Sequence, residues 1–124
     1  MATITTRLLI TGDAVTSDPI AVDYSQPTTV TAPAIESASV DVTNAGVEIV
    51  TGTAAPSTRT FVYVKCTNSA SQISPLIIGL TGAADAMILY RDEFLYIPIK
   101  PGQIVTLDVA AEYTAQAEYG FFSA

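Results

Sequence analysis

Apolar and polar residues alternate along much of this chain, and turn-forming residues interrupt the alternation at intervals. The clearest case is Glu36–Thr43, whose apolar residues all fall on one face: Ala38, Val40 and Val42. Successive side chains of a strand point to opposite faces of a sheet, so a two-residue period predicts a half-buried strand. Asn44-Ala45-Gly46 then predicts a tight turn into Val47–Thr51, and the two strands are expected to form a β-hairpin.

The strongest strand prediction falls on Arg59–Thr67, which is apolar on both faces. One face carries Phe61, Tyr63 and Lys65, and the other carries Val62, Val64 and Cys66. Two apolar faces indicate a central strand that is covered on both sides, by a second sheet and by a neighbouring subunit.

Other short segments of the chain also have strand character. They are Thr3–Thr11, Ile20–Tyr24, Leu76–Leu80, Ala86–Tyr90, Phe94–Ile99, Ile104–Val109 and Ala115–Phe122. Pro27 is expected to end the second of these strands, and Pro98 marks an edge or a bulge, because proline cannot donate to a β-ladder. Lys100–Gln103 is typical of a type II turn.

These segments together predict an all-β fold. If about eight or nine of these segments form strands, their spacing favours a single-domain antiparallel β-sandwich or jelly roll with an extended N-terminal segment. Residues 1–35 are expected to form an arm or peripheral strands, and residues 36–124 a compact β core. No segment predicts an amphipathic helix of useful length.

Composition indicates that the polar surface is built from Thr, Ser, Asn and Gln, that part of the surface is covered by a partner, or both. Of the 124 residues, 49% are hydrophobic and only 14% are charged, whereas the surface of a free monomer typically carries about 25–35% charged residues. The net charge is −7, with five scattered Lys and Arg residues. Nucleic acid and anionic membranes are therefore not expected as partners, since both require clustered basic residues.

The sequence offers little for catalysis or for cofactor binding. It has no histidine and one cysteine, Cys66, which excludes a Ser-His-Asp triad, a Cys-His pair and an intrachain disulfide. No glycine-rich phosphate loop is present. We expect no enzyme activity, no catalytic residue and no cofactor, and we interpret Cys66 as a small core residue.

Carboxylates leave two weaker alternatives open. Asp92 and Glu93 are adjacent and are expected to form a solvated corner rather than a glycosidase pair. The even spacing of Asp13, Asp18 and Asp23 suggests calcium, but the glycine and closing glutamate of an EF-hand loop are missing. Turn formation is the default role for these aspartates, and no metal site is predicted.

Two adjacent aromatic residues near the C-terminus suggest a contact with another subunit. Phe121 and Phe122 must point to opposite faces of a strand, so one can fill the core while the other needs a second cover. The aromatic residues of the chain could alternatively line a sugar-binding platform, but tryptophan, the favoured stacking residue, is absent.

The N-terminal sequence lacks the charged and apolar regions of a signal peptide. No segment reaches the roughly 18–20 apolar residues of a membrane span. The chain is therefore expected to be made and folded in the cytoplasm.

Three stretches resemble small structural proteins of tailed-phage particles: Tyr63–Asn68 (YVKCTN), Phe94–Gly102 and Glu118–Phe122 (EYGFF). Proteins of this kind have a strand like YVKNT with a polar turn, a short apolar run, a Pro-Gly near an aromatic strand, and a last strand ending in EYG plus aromatics. In this chain Cys66 stands where asparagine is commoner, and Pro101-Gly102 follows the aromatic strand instead of preceding it.

The resemblance implies a virion component of the capsid cement, or decoration, type. Such proteins form trimers at capsid symmetry axes and hold neighbouring shell subunits together. The expected partners are the major capsid protein or another virion protein and further copies of the chain. The predicted interface residues are Ile4, Leu8, Leu9, Ile10, Phe121 and Phe122. A tail or fibre component and a carbohydrate-binding β-sandwich module are the alternatives.

Overall fold

A computed structural model describes residues 2–12, 20–30, 36–50, 60–69, 75–100 and 103–123. All regular secondary structure in these ranges is β-strand. The ten strands are β1 (Ala2–Gly12), β2 (Ile20–Val30), β3 (Glu36–Val42), β4 (Val47–Val50), β5 (Thr60–Ser69), β6 (Leu76–Leu80), β7 (Ala83–Leu89), β8 (Phe94–Ile99), β9 (Val105–Asp108) and β10 (Ala115–Ser123).

The strands divide into two compact units. Strands β1 and β2 form one unit, a two-stranded antiparallel hairpin, and strands β3 to β10 form the other. The second unit has two four-stranded sheets, with strand orders β3-β10-β5-β8 and β4-β9-β6-β7. Whether both units belong to one domain, as the sequence predicts, stays a prediction.

The eight strands of the second unit are paired in a nested order. Strand β3 pairs with β10, β4 with β9, β5 with β8, and β6 with β7, and every pair is antiparallel. Strands β3 to β6 therefore pair with β10 to β7 in reverse order, and the four pairs are divided between two sheets. This is the strand order of a jelly-roll sandwich.

Alternating side chains from both sheets form one core. The inner face of β5 contributes Val62, Val64 and Cys66, which are fully buried, and β6 and β9 contribute the fully buried Ile78 and Leu107. Other core members are Val42, Ile49, Leu76, Leu89, Ile99, Val105, Val109, Ala115 and Ala117. Since both inner faces meet in this cluster, the two sheets depend on each other for burial.

Gly79 allows β6 and β7 to approach closely where their register shifts. A Cβ atom at this position would collide with the carbonyl oxygen of Ala84 and would lie 2.6 Å from Thr106 Oγ1. Only glycine fits here without displacing the neighbouring backbone.

The all-β sandwich prediction is confirmed, with ten strands in place of eight or nine. The predicted edge position of Pro98 is also confirmed, because β8 is the outermost strand of its sheet. The Lys100–Gln103 turn includes residues outside the described ranges.

The predicted hairpin between β3 and β4 is wrong. The turn does form, with Gly46 at a φ of 79° and its N–H donating to Thr43 O at 3.0 Å. It carries the chain from one sheet to the other, where β3 pairs with β10 and β4 with β9. Both strands have an apolar face that must point into the sandwich, and crossing between sheets buries both faces.

The predicted strand break at Pro27 is also wrong. Strand β2 continues through Pro27, which lies opposite Thr5 in the hairpin. Each strand of a two-stranded sheet has one unpaired edge, and a proline whose nitrogen faces that edge removes no ladder hydrogen bond.

Two isoleucines on neighbouring strands test the assignment of inner and outer faces. Ile78 on β6 is fully buried, whereas Ile88 on β7 is 52% exposed. Ile78→Ala is expected to lower the free energy of unfolding by about 2–5 kcal/mol, because it leaves a cavity in the core. Ile88→Ala should cost less than about 1 kcal/mol. Urea unfolding followed by circular dichroism measures both, and equal costs would contradict the assignment.

Candidate interaction surfaces

The register of the hairpin sorts its side chains onto two different faces. Leu8 lies opposite Tyr24 and Ile10 opposite Val22, so these four side chains share one face. Arg7 lies opposite Ser25 and Leu9 opposite Asp23, on the other face. We call these the apolar face and the polar face of the hairpin.

The apolar face has no Asp, Glu, Lys or Arg. Among the residues whose side chains are described, its members are Ile4, Thr6, Leu8, Ile10, Gly12, Val22, Tyr24, Gln26 and Thr28. The large side chains nearest the 13–19 connection remain in contact with solvent, with exposed fractions between 41% for Val22 and 59% for Tyr24. A patch of four exposed apolar side chains, Leu8, Ile10, Val22 and Tyr24, is typical of a contact surface.

The polar face is held by an ion pair between its two charged groups. Arg7 Nε donates to Asp23 Oδ1 and Arg7 Nη2 to Asp23 Oδ2, both at 2.9 Å. This two-point hydrogen bond raises the pKa of Arg7. The pair lies diagonally across the two strands and helps to fix their register.

The hairpin places the four predicted N-terminal interface residues on different faces. Ile4, Leu8 and Ile10 lie together on the apolar face, and Leu9 lies on the polar face beside Asp23. The apolar face also includes Val22 and Tyr24, which the interface prediction omits. Their alternation is visible in the sequence, but only the pairing of β1 with β2 shows that they adjoin Leu8 and Ile10.

An aromatic stack covers part of the outer face of sheet β3-β10-β5-β8. The Phe61 ring stacks on Phe122 with centroids 5.2 Å apart and on Tyr96 with centroids 5.6 Å apart. Phe61 and Phe122 are almost fully buried although they point away from the core. This burial agrees with the prediction that β5 is covered on both sides, and here the cover comes from the same chain.

Phe121 and Phe122 point to opposite faces, as predicted. Phe121 packs against the sandwich core, and Phe122 joins the aromatic stack with 7% of its area exposed. Their role in an interface stays a prediction.

Phe94 is the most exposed large apolar residue in the described ranges. It lies on β8 opposite Lys65, on the same outer face as the aromatic stack, and 64% of its area is exposed. Glu118 lies on the far side of Lys65. An apolar ring beside one cation and one carboxylate is the composition of a protein contact surface with a polar rim.

A shallow depression of about 450 Å³ lies at the turn between β6 and β7. Its lining includes Glu48, Thr81, Ala84 and Thr106. The Thr81 hydroxyl accepts a hydrogen bond from Ile104 N at 2.7 Å. Among the described residues of the lining, Glu48 is the only ionisable one, and a single carboxylate provides neither an acid–base pair nor a metal site.

Cys66 lies in the core and lacks the surroundings of a reactive thiol. Burial, together with the nearby charges of Asp92 and Glu93, raises the pKa of Cys66. The 90–93 corner closes over this end of β5, because Asp92 N donates to Cys66 O at 2.7 Å and Cys66 N to Glu93 O at 3.0 Å. Asp92 and Glu93 therefore belong to a turn that supports the sandwich.

The calcium alternative gains no support from the part of the chain that is described. Asp23 is paired with Arg7, and Asp13 and Asp18 lie outside the described residues. Within the described ranges, no group of three or more His, Cys, Asp or Glu residues could hold a metal ion.

Comparisons with protein-family models, with curated proteins and with solved structures found no match to this chain. In the described ranges there is no helix long and apolar enough to cross a membrane.

The thiol of Cys66 is expected to resist labelling in the folded protein. The thiolate is the reactive form, and burial disfavours it. A thiol-specific reagent at pH 8 should therefore label Cys66 only as fast as the protein unfolds, and at once in concentrated urea. Rapid stoichiometric labelling of the native protein, followed by absorbance, would contradict this description of the site.

Proposed function

We propose that this chain is a structural protein of a viral particle, of the capsid cement type. In this proposal the chain binds the major capsid protein or another virion protein, associates with further copies of itself, most simply as a trimer, and catalyses no reaction. The observation that carries the proposal is that the hairpin exposes an uncharged apolar face, while the sandwich has a complete core of its own.

Exposed apolar surface favours assembly over a solitary existence. The large side chains of the apolar face together make a strip that a monomer would have to keep hydrated. Only 14% of the residues are charged, which is also low for a surface that faces water everywhere. Contacts with a shell and with other copies would remove the apolar side chains from water and would reduce the surface that charged residues have to keep hydrated.

The jelly-roll order of the strands agrees with this role but is not specific to it. The same arrangement occurs in viral capsid proteins, lectins and cupins, so the fold alone does not decide the function. The resemblance of Tyr63–Asn68, Phe94–Gly102 and Glu118–Phe122 to phage structural proteins favours the particle. A tail or fibre component would use the same surfaces.

The Phe94 surface supplies the contact that we assign to the shell. An aromatic side chain that is 64% exposed beside Lys65 and Glu118 can bury a large apolar area at low entropic cost. A carbohydrate module would instead stack a sugar ring on Phe94, and saturable binding on a glycan array would favour that alternative.

Binding to particles tests the proposal. Purified chain is added to particles of the encoding virus that lack it, and binding is measured by co-sedimentation and located by electron microscopy. Saturable binding to the outer shell is expected. Phe94→Ala should raise the dissociation constant on the order of tenfold or more, as truncation of an aromatic anchor does.

Ile88→Ala is the matched control, because Ile88 is similarly exposed but lies on the other sheet. It should leave the dissociation constant within a factor of about two, since substitutions outside an interface have small effects. Purified virions that lack the chain and do not bind it would refute the proposed function.

A further inference from the structure

We propose that the apolar face of the hairpin packs against the same face of a second copy of this chain. The contact is formed by Ile4, Leu8, Ile10, Val22 and Tyr24 of each copy. It is a two-fold contact that joins two copies, so it would act in addition to the contacts of a trimer, and it rests on the proposed function only for its biological role.

The first argument is electrostatic. The chain has a net charge of −7, so most of its surface repels a second copy. The apolar face is an exception, because none of its nine members with a described side chain is Asp, Glu, Lys or Arg. Two such faces can meet without like-charge contact, while the Arg7–Asp23 ion pair stays in water on the opposite face and loses no hydration.

The second argument is the stability of the hairpin. A two-stranded hairpin alone is marginally stable in water, and a further layer on its apolar face provides the missing burial. A second copy offers a ribbon of equal length, width and chemistry. Two sheets pack face to face about 10 Å apart with their strands within roughly 30° of each other, a geometry that matches two ribbons of this kind.

The size of the face sets the expected strength of the contact. Strands of 11 residues make a ribbon about 37 Å long and 10 Å wide, a footprint of about 370 Å² on each copy. Two copies would bury on the order of 700–800 Å², which is less than the ~1,200 Å² of a stable interface. The association of the purified chain should therefore be weak and dependent on concentration.

Other occupants fit the apolar face less well. An anionic membrane surface would repel an acidic chain. A groove of another virion protein could also cover the face, and in that case the purified chain would stay monomeric. The self-association measurement separates this outcome from the proposal.

Leu8 and Leu9 provide a matched test, because they are adjacent, identical in type and similarly exposed, at 47% and 57%, but lie on opposite faces. Threonine keeps the β-propensity of the strand while it removes apolar area. Sedimentation and light scattering of the full chain should show a mass that rises with concentration. Leu8→Thr should raise the dissociation constant on the order of tenfold, because each substitution counts twice in a symmetric pair, and Leu9→Thr by less than about threefold.

A second measurement covers the case in which Leu8→Thr alters the hairpin itself. Leu8→Cys and Leu9→Cys are treated with a short bifunctional maleimide, and buried Cys66 does not compete in the folded protein. Covalent dimers should form readily from Leu8→Cys and poorly from Leu9→Cys, because only position 8 faces the second copy.

A mass of one chain at every concentration would overturn the inference, as would equal weakening by Leu8→Thr and Leu9→Thr. Neither result would touch the proposed function if particle binding persists. Conversely, normal self-association without particle binding would refute the proposed function and leave this contact standing.

Discussion

The packing of two four-stranded sheets through their inner faces is the interaction on which the rest of this structure depends. Neither sheet can bury its apolar side chains alone, and the fully buried Val62, Val64, Ile78 and Leu107 come from both. The nested strand order follows from this requirement, because each successive pair of strands has to close over the core formed by the others. The outer faces of the sheets are not part of this core, and the outer face of sheet β3-β10-β5-β8 carries the aromatic stack and Phe94.

The sequence predicts which side chains share a face but not which strands are neighbours. Alternation is local, so the two faces of β5 and the all-β class could be inferred from the residues alone. Pairing joins distant segments, such as Val40 and Ala117, and the turn at Gly46 looks the same for a hairpin and for a crossing between sheets. The same limit applies to the interface. Alternation places Leu8 and Leu9 on opposite faces of β1, but only the register of β1 with β2 shows which of the two faces is apolar.

The two units of the chain solve the problem of apolar burial in different ways. The sandwich buries most of its large apolar residues within itself, including Phe122, and leaves a few such as Phe94 and Ile88 exposed. The hairpin has one layer and therefore leaves its apolar face exposed. In the proposed function, the sandwich would supply a stable body and the hairpin would supply surface for assembly. Self-association through the hairpin would complete its missing layer, and this would couple its stability to the concentration of the chain.

Amide hydrogen exchange at several protein concentrations tests this division most directly. The exchange rates in β5 and β10 should be slow and independent of concentration, because the core of the sandwich protects them. Exchange in β1 and β2 should be fast in dilute protein and should slow as the concentration rises, since the second layer forms only on association. Hairpin amides that are equally protected at every concentration would contradict the account, because the hairpin would then be stable without a partner.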